Sequence, residues 1–181
     1  MRHHKKGFTI IEVVLVLAIA GLIFLMVFVA LPALQRSQRN TQVRRDADRI
    51  SGLVADYQKN NHRKLPFDTK GNFDTNFVTR YIDEDCVYTK SERGRDFTRY
   101  YFKDCGEQMI HPSGNNYIMA VMDGNRDYTG RLDDVNYYVI HFYSGAKCGE
   151  SENEIRKASG TSKYAVLVKL ETVSYYCVDN S

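Results

Sequence analysis

An uninterrupted apolar run near the N-terminus constrains this chain more than any other feature. From Val13 to Leu31, nineteen successive residues carry neither a charge nor a side chain that forms hydrogen bonds. An α-helix needs about 20 such residues to cross a bilayer. Arg2, Lys5 and Lys6 precede the run, and positive charges of this kind mark the cytoplasmic end of a span. We therefore predict one membrane-spanning helix, a cytoplasmic N-terminus and an exported C-terminal part.

The net charge of +3 argues against nucleic-acid binding as the main role of the exported part. Of the 25 Lys and Arg, three precede the apolar run, which leaves 22 basic residues against 22 Asp and Glu. Binding to nucleic acid depends strongly on neutralising phosphates with basic residues. One stretch is locally basic because of Arg36, Arg39, Arg44, Arg45 and Arg49. Three interpretations of it remain: a solvated helix face, a contact between subunits, or a weak nucleic-acid patch.

The four cysteines predict disulfide bonds. Cys86, Cys105, Cys148 and Cys177 all lie in the part predicted to be exported, where disulfides form and persist. Four cysteines allow three connectivities, and we favour Cys86 with Cys105 and Cys148 with Cys177 because these pairs close the shortest loops. A zinc site is the rival, but no CxxC pair or suitably spaced histidine is present.

Glu12 is a carboxylate at the very start of the apolar run. Burying a carboxylate in a bilayer costs a few kcal/mol, so such a residue usually has a partner. The plain alternative is that Glu12 lies close enough to the interface to reach water.

The ordered set KKGFTIIE, from Lys5 to Glu12, resembles the class III signal of the type IV pilin family, which includes the pseudopilins of type II secretion and competence systems.

The resemblance implies a processing step and an assembly contact. A prepilin peptidase would cut between Gly7 and Phe8 and methylate the new amino group of Phe8. Glu12 would then attract the N-terminal amine of a neighbouring subunit. The resulting parts are a cytoplasmic leader at residues 1–7, a transmembrane and amphipathic helix at 8–60, and a globular pilin head at 61–181.

The helix is expected to change character along its length. Its second half carries an apolar seam at spacings of four and three residues: Val43, Ala47, Ile50, Val54 and Tyr57. The seam fits a coiled coil, but we favour packing on the chain's own head because about two heptads are too few. Pro32 removes one helical hydrogen bond and predicts a kink near residues 28–32, and Gly21 is a second weak point.

The predicted fold is α+β and pilin-like, with the long N-terminal helix packed on a C-terminal antiparallel β-sheet. No structure is assigned to the polar region at residues 66–115, apart from short strands or turns such as one near Tyr100. Enrichment in β-branched and aromatic residues predicts four later strands, of which the last two form a hairpin: Tyr117–Met122, Val135–Tyr143, Tyr164–Leu170 and Val173–Val178.

A loop between the first two of these strands has part of a calcium-binding pattern. Oxygen-bearing side chains occur at Asp123, Asn125 and Asp127, the 1, 3, 5 spacing of such loops. Tyr128 stands where a glycine is expected, and Asp134 stands where a glutamate is expected. A polar hairpin loop without an ion is the slightly favoured interpretation; calcium is the alternative, and no other cofactor is expected.

No enzyme motif is present, and the histidines of the head are isolated in sequence. The sequence thus predicts a non-enzymatic prepilin that polymerises with itself, or with minor pilins, into an extracellular pilus for adhesion, motility or DNA uptake. Before assembly it would be a single-pass protein of the cytoplasmic membrane. Its partners would be the prepilin peptidase, the assembly platform and an ATPase. A pseudopilin of a secretion or competence system is the main alternative, and an anchored binding domain that never polymerises is the third.

Overall fold

The computed structural model of the chain describes residues 7–68, 72–82, 84–92, 97–103, 110–122, 138–151, 154–171 and 174–180. These residues fall into two compact units. The first ends at Gln38 and the second runs from Arg39 to the C-terminus.

One helix, α1, occupies Ile10–Asn60 and contains Pro32. It begins two residues later than predicted because Thr9 is its N-cap, and it ends where the sequence analysis placed it. The first unit consists of its apolar N-terminal part. That part is long and apolar enough to cross a membrane. Its second half, from Arg39 onward, belongs to the same unit as the β-sheet.

The second unit has an α+β fold, as predicted. Among the described residues, a six-stranded sheet has the order β1-β2-β3-β4-β7-β8, and β5 pairs with β6 separately. A three-residue helical turn, α2 (Thr75–Phe77), leads into a π-helical turn at Val78–Ile82. The strand bounds are β1 Val87–Glu92, β2 Phe97–Lys103, β3 Ile118–Met122, β4 Val139–Ser144, β5 Ala146–Cys148, β6 Ile155–Lys157, β7 Tyr164–Lys169 and β8 Tyr175–Asp179.

The sheet is rich in antiparallel pairs but contains one parallel pair. β3 and β4 run parallel, with Ile118 opposite Val139, whereas the other neighbours in the six-stranded sheet are antiparallel. The interpretation of the intervening loop as a hairpin is therefore wrong, because two parallel neighbours do not form a hairpin. The predicted pairing of the last two strands is confirmed by the antiparallel register of β7 and β8.

Both faces of the central strands are buried. Along β7, Tyr164, Val166 and Val168 join one apolar cluster, while Ala165 and Leu167 join a second. This alternation follows from the two-residue period of a strand. Because each face is covered, β7 is a nearly continuous apolar run. The second cluster includes residues of β5 and β6, so the small sheet covers the face opposite α1.

The apolar seam of α1 packs within the chain. Val43, Ala47, Ile50, Val54 and Tyr57 are all buried and belong to the first apolar cluster, together with residues of β3, β4 and β7. The preference for packing on the chain's own head over a coiled coil is therefore confirmed. A buried hydrogen bond adds to this interface, because the Tyr164 hydroxyl donates to the backbone oxygen of Ser51 at 2.8 Å.

The four predicted strands are all present in the head, but other strands of the head were not assigned from the sequence. β3 and β7 lie within one residue of their predicted bounds, and β8 begins two residues later than predicted. β4 extends one residue further than predicted; the predicted start at Val135 lies outside the described residues. β2 contains the short strand or turn expected near Tyr100, although its bounds were not predicted. β1, β5 and β6 were not assigned from the sequence, because they are short or carry charged and polar residues.

A disulfide joins the small sheet to the edge of the large one. Cys148 of β5 is bonded to Cys177 of β8, with 5.9 Å between their Cα atoms. This bond is one of the two in the favoured sequential pairing. Cys86 is also disulfide-bonded, and Cys105 lies outside the described residues.

Candidate assembly site at the helix N-terminus

Glu12 forms a capping box with Thr9 at the start of α1. Its Oε2 atom accepts hydrogen bonds from the backbone N–H of Thr9 at 2.9 Å and from the Thr9 hydroxyl at 2.8 Å. In return, the backbone N–H of Glu12 donates to the Thr9 hydroxyl at 3.4 Å. The first turn of a helix leaves N–H groups without partners, and a Thr-x-x-Glu sequence satisfies two of them reciprocally. Glu12 therefore has a local structural role within its own chain.

The Glu12 carboxylate can accept further hydrogen bonds besides those of the capping box. Both hydrogen bonds from Thr9 end on Oε2, and an ionised carboxylate offers about four acceptor positions on its two oxygens. Within the described part of the chain, Oε1 makes no hydrogen bond. The same carboxylate can thus cap its own helix and accept a donor from another molecule.

Phe8 and Glu12 lie next to each other on the surface. They line the same surface depression, together with Val13 and Val16. Phe8 is 89% exposed, and Gly7, the last residue before the predicted cleavage, is exposed with open space around its Cα. An accessible glycine has no side chain and lets a protease approach its backbone closely.

The apolar side chains that follow Glu12 are exposed in the described part of the chain. From Phe8 to Leu34, the large apolar residues are 48–89% exposed. A water-exposed apolar surface of this extent is unfavourable, since each buried square ångström of apolar surface contributes about 25 cal/mol. This segment therefore requires an apolar environment, such as lipid or other apolar helices.

The two predicted weak points lie inside this exposed segment. α1 continues through both Gly21 and Pro32. Pro32 has no backbone N–H to donate to the carbonyl of Phe28. The predicted kink at this point stays a prediction.

The basic stretch is partly neutralised within the second unit. Arg39 forms a bidentate ion pair with Glu171, including an Nη2–Oε2 hydrogen bond of 2.9 Å. The guanidinium of Arg44 lies 5.6 Å from the ring centre of Tyr176, a cation–π distance. Arg36 and Arg45 are exposed. These contacts fit a role within the fold better than a continuous nucleic-acid patch.

His111 is a buried titratable group near the Arg39–Glu171 pair. Its side chain is 2% exposed, and its Nδ1 accepts the backbone N–H of Ser113 at 3.1 Å. Burial lowers the pKa of His111; the nearby Glu171 carboxylate acts against this shift, and Arg39 adds to it. The structure thus favours the neutral imidazole, which keeps an acceptor at Nδ1.

The candidate calcium residues Asp123, Asn125, Asp127 and Asp134 lie outside the described residues. Among the residues that are described, no group of three or more His, Cys, Asp and Glu is arranged to hold a metal ion. The calcium site stays a prediction.

Thr9 is the site residue that the sequence analysis missed. The signal for it was present, because Thr-x-x-Glu directly before an apolar run is the sequence pattern of a capping box.

Comparison with known families agrees with the geometry of this segment. Residues 2–28 match the family model of the prokaryotic N-terminal methylation motif, the class III signal of type IV pilins and pseudopilins. No curated protein and no solved structure matches the chain. The chain therefore carries a class III signal, which supports a type IV pilin-like or pseudopilin-like precursor.

Proposed function

We propose that this chain is the precursor of a structural subunit of a type IV pilus-like extracellular filament. A prepilin peptidase would remove residues 1–7, and the processed subunits would polymerise through α1. The observation that carries this proposal is the methylation motif at residues 2–28, placed directly on an apolar helix whose large side chains are exposed.

The exposed apolar surface supplies the driving force for the proposed assembly. A processed subunit would exchange lipid contacts for contacts with other α1 helices, so its apolar side chains would stay out of water throughout. Loss of the leader would also remove the positive charges of Arg2, Lys5 and Lys6, which hold that end on the cytoplasmic side. The assembly platform and a cytoplasmic ATPase would supply the work of extraction.

Glu12 would set the position of one subunit against the next. Two opposite charges 4 Å apart attract by about 4 kcal/mol at an effective dielectric constant of 20. Cleavage after Gly7 would create a cation at Phe8, and Oε1 of Glu12 is not engaged by the capping box. A misplaced subunit would leave a charge unpaired in apolar surroundings, which is costly.

Two substitutions of Glu12 separate its charge from its capping role. Gln can replace Glu in a capping box but has no charge, whereas Ala removes both properties. The proposal predicts that Glu12→Gln and Glu12→Ala both abolish filaments, as seen by electron microscopy of sheared surface fractions. Glu84→Gln, which neutralises an exposed carboxylate of the head, is the matched control and should assemble normally.

Normal filaments from Glu12→Gln but not from Glu12→Ala would show that capping alone is required and would refute the charge pairing. Normal filaments from both variants would refute assembly through this site and favour the anchored binding domain. Equal membrane levels of all variants, measured by immunoblot, are needed for this comparison.

The second candidate is a pseudopilin of a type II secretion or competence system, and the calcium-like spacing of Asp123, Asn125 and Asp127 favours its secretion form. Abundant long surface filaments of the native chain would exclude this role as the main one. A calcium-dependent rise in melting temperature would support it, provided that Asp123→Asn and Asp127→Asn lose the rise. Asp56→Asn, at an exposed position of α1, is the control and should retain the calcium-dependent rise.

For the pilus candidate, the filament would serve adhesion, motility or DNA uptake, alone or with minor pilins.

A further inference from the structure

A surface pocket of the head lies outside the proposed assembly site. Its walls are the turn His62–Lys64 after α1, the end of β4 at Ser144 and the turn Thr161–Ser162, and Leu65 and Phe67 add apolar surface. Its volume is about 770 Å³, within the usual range of small-ligand sites, about 300 to 1,000 Å³. We call it the basic pocket.

The first wall of the basic pocket has a strained backbone. His62 and Arg63 have φ angles of 55° and 64°, in the left-handed region that disfavours residues with a Cβ atom. Local hydrogen bonds hold this turn: Arg63 N–H donates to the Gln58 oxygen at 2.7 Å, and Lys64 N–H donates to the Asn61 oxygen at 3.1 Å. Strain maintained in this way is frequent at functional sites.

The facing wall is fixed by side-chain amides. The backbone oxygen of Ser162 accepts hydrogen bonds from Gln58 Nε2 at 2.7 Å and from Asn180 Nδ2 at 2.9 Å. Asn180 is itself anchored, because its Oδ1 accepts the Tyr164 N–H at 3.0 Å. Gln58 also donates to the Arg63 oxygen at 3.4 Å, so one side chain fixes both walls. The pocket is therefore preformed.

The hydroxyl groups of the basic pocket belong to Thr161 and Ser162, which line it. Thr161 is exposed and Ser162 is half-buried. Ser144 also lines the pocket, but its Oγ atom is fully buried, so a ligand in the pocket does not reach that atom.

The charges that line the basic pocket select for an anion. Arg63 and Lys64 are exposed, and within the described residues neither belongs to an ion pair. Asp68 is the carboxylate that the pocket lining contains, so the fixed charges sum to a positive value. A guanidinium binds carboxylate or phosphate oxygens with two parallel hydrogen bonds.

We infer that the basic pocket binds an oxyanion carried on a small hydroxylated ligand, of which an acidic sugar is the best chemical match. Arg63 and Lys64 contact the oxyanion, and the hydroxyls of Thr161 and Ser162 bond the ligand's own hydroxyl groups. The apolar part of the ligand lies on Leu65 and Phe67. This inference does not depend on filament formation, because it rests on the second unit alone.

Isothermal titration calorimetry on the full chain in detergent micelles tests the inference, with glucuronate, glucose and inorganic phosphate as the probes. We expect glucuronate to bind at least tenfold more tightly than either of the others. Arg63→Gln should weaken glucuronate binding about tenfold, and Thr161→Ala about fivefold. Lys147→Gln removes an exposed cation outside the pocket and should leave binding unchanged.

Thermal melting shows whether a variant has lost binding because it no longer folds. Thr161→Ala removes an exposed hydroxyl, so its melting temperature should equal that of the native chain. Equal binding of glucose would refute the role of the oxyanion, and equal binding of phosphate would refute the role of the sugar. Absence of binding by all three probes, or equal weakening by Lys147→Gln, would overturn the inference entirely.

Discussion

Truncation of Ile50 tests whether α1 is held by its own sheet. Ile50 is 0% exposed and lies in the middle of the seam. Replacing it with Ala removes three carbon atoms, worth about 2.4 kcal/mol at 0.8 kcal/mol each, and the cavity left behind raises the cost. We expect the free energy of unfolding to fall by about 3.5 kcal/mol. For a unit of about 140 residues, this lowers the melting temperature by about 12 °C.

The assay is thermal unfolding of the full chain in detergent micelles, followed by the near-ultraviolet signal of the tyrosines. Ile50→Val should cost about 1 kcal/mol, and Gln42→Ala, at an exposed position of the same helix, should stay within about 0.5 kcal/mol. If Ile50→Ala matched Gln42→Ala, the seam would not be packed on the sheet. A melting temperature that rises with protein concentration would instead indicate pairing between chains.

Two further predictions concern the head. Replacing both Cys148 and Cys177 with Ser opens a loop of 29 residues. This change should lower the free energy of unfolding, measured by urea denaturation, by about 3.5 kcal/mol. A loss below about 1 kcal/mol would contradict a stabilising role of this size. Burial lowers the pKa of His111 in the folded state, so the unfolded chain binds the proton more readily and stability falls as the pH drops below about 6.5. His111→Asn keeps an acceptor for the Ser113 N–H and should reduce the fall in melting temperature between about pH 7.5 and 5.5. An unchanged dependence of the melting temperature on pH would refute the role of His111 in it.

The sequence was sufficient where one strong pattern decides the local structure. The apolar run and the heptad seam predicted α1 and its buried face, because helical periodicity and burial coincide there. The enrichment in β-branched and aromatic residues located β3, β7 and β8. For the site, Gly7, Phe8 and Glu12 stood out by their order alone.

The elements that were missed are held by pairing and packing that the local sequence does not show. β1 contains charged residues and pairs with β2, which in turn pairs with β3, so its strand conformation depends on the sheet. β5 and β6 have three residues each, and burial of Ala146 and Ile155 against the second face of the sheet holds them. The parallel pairing of β3 and β4 was missed for the same reason, since local sequence does not encode which strand lies alongside.

The basic pocket was also invisible in the sequence. Its walls come from segments near residues 62, 144 and 162, which only the fold brings together. Two adjacent left-handed residues that are not glycine leave no clear signal in the local sequence.

The mass of the mature N-terminal peptide tests the central claim most directly. The processed chain would be purified from the cell surface, digested and sequenced by tandem mass spectrometry. The account predicts a first residue Phe8 that carries one methyl group on its amine, with residues 1–7 absent. A chain that still begins at Met1, or one cut at a bond other than Gly7–Phe8, would contradict it.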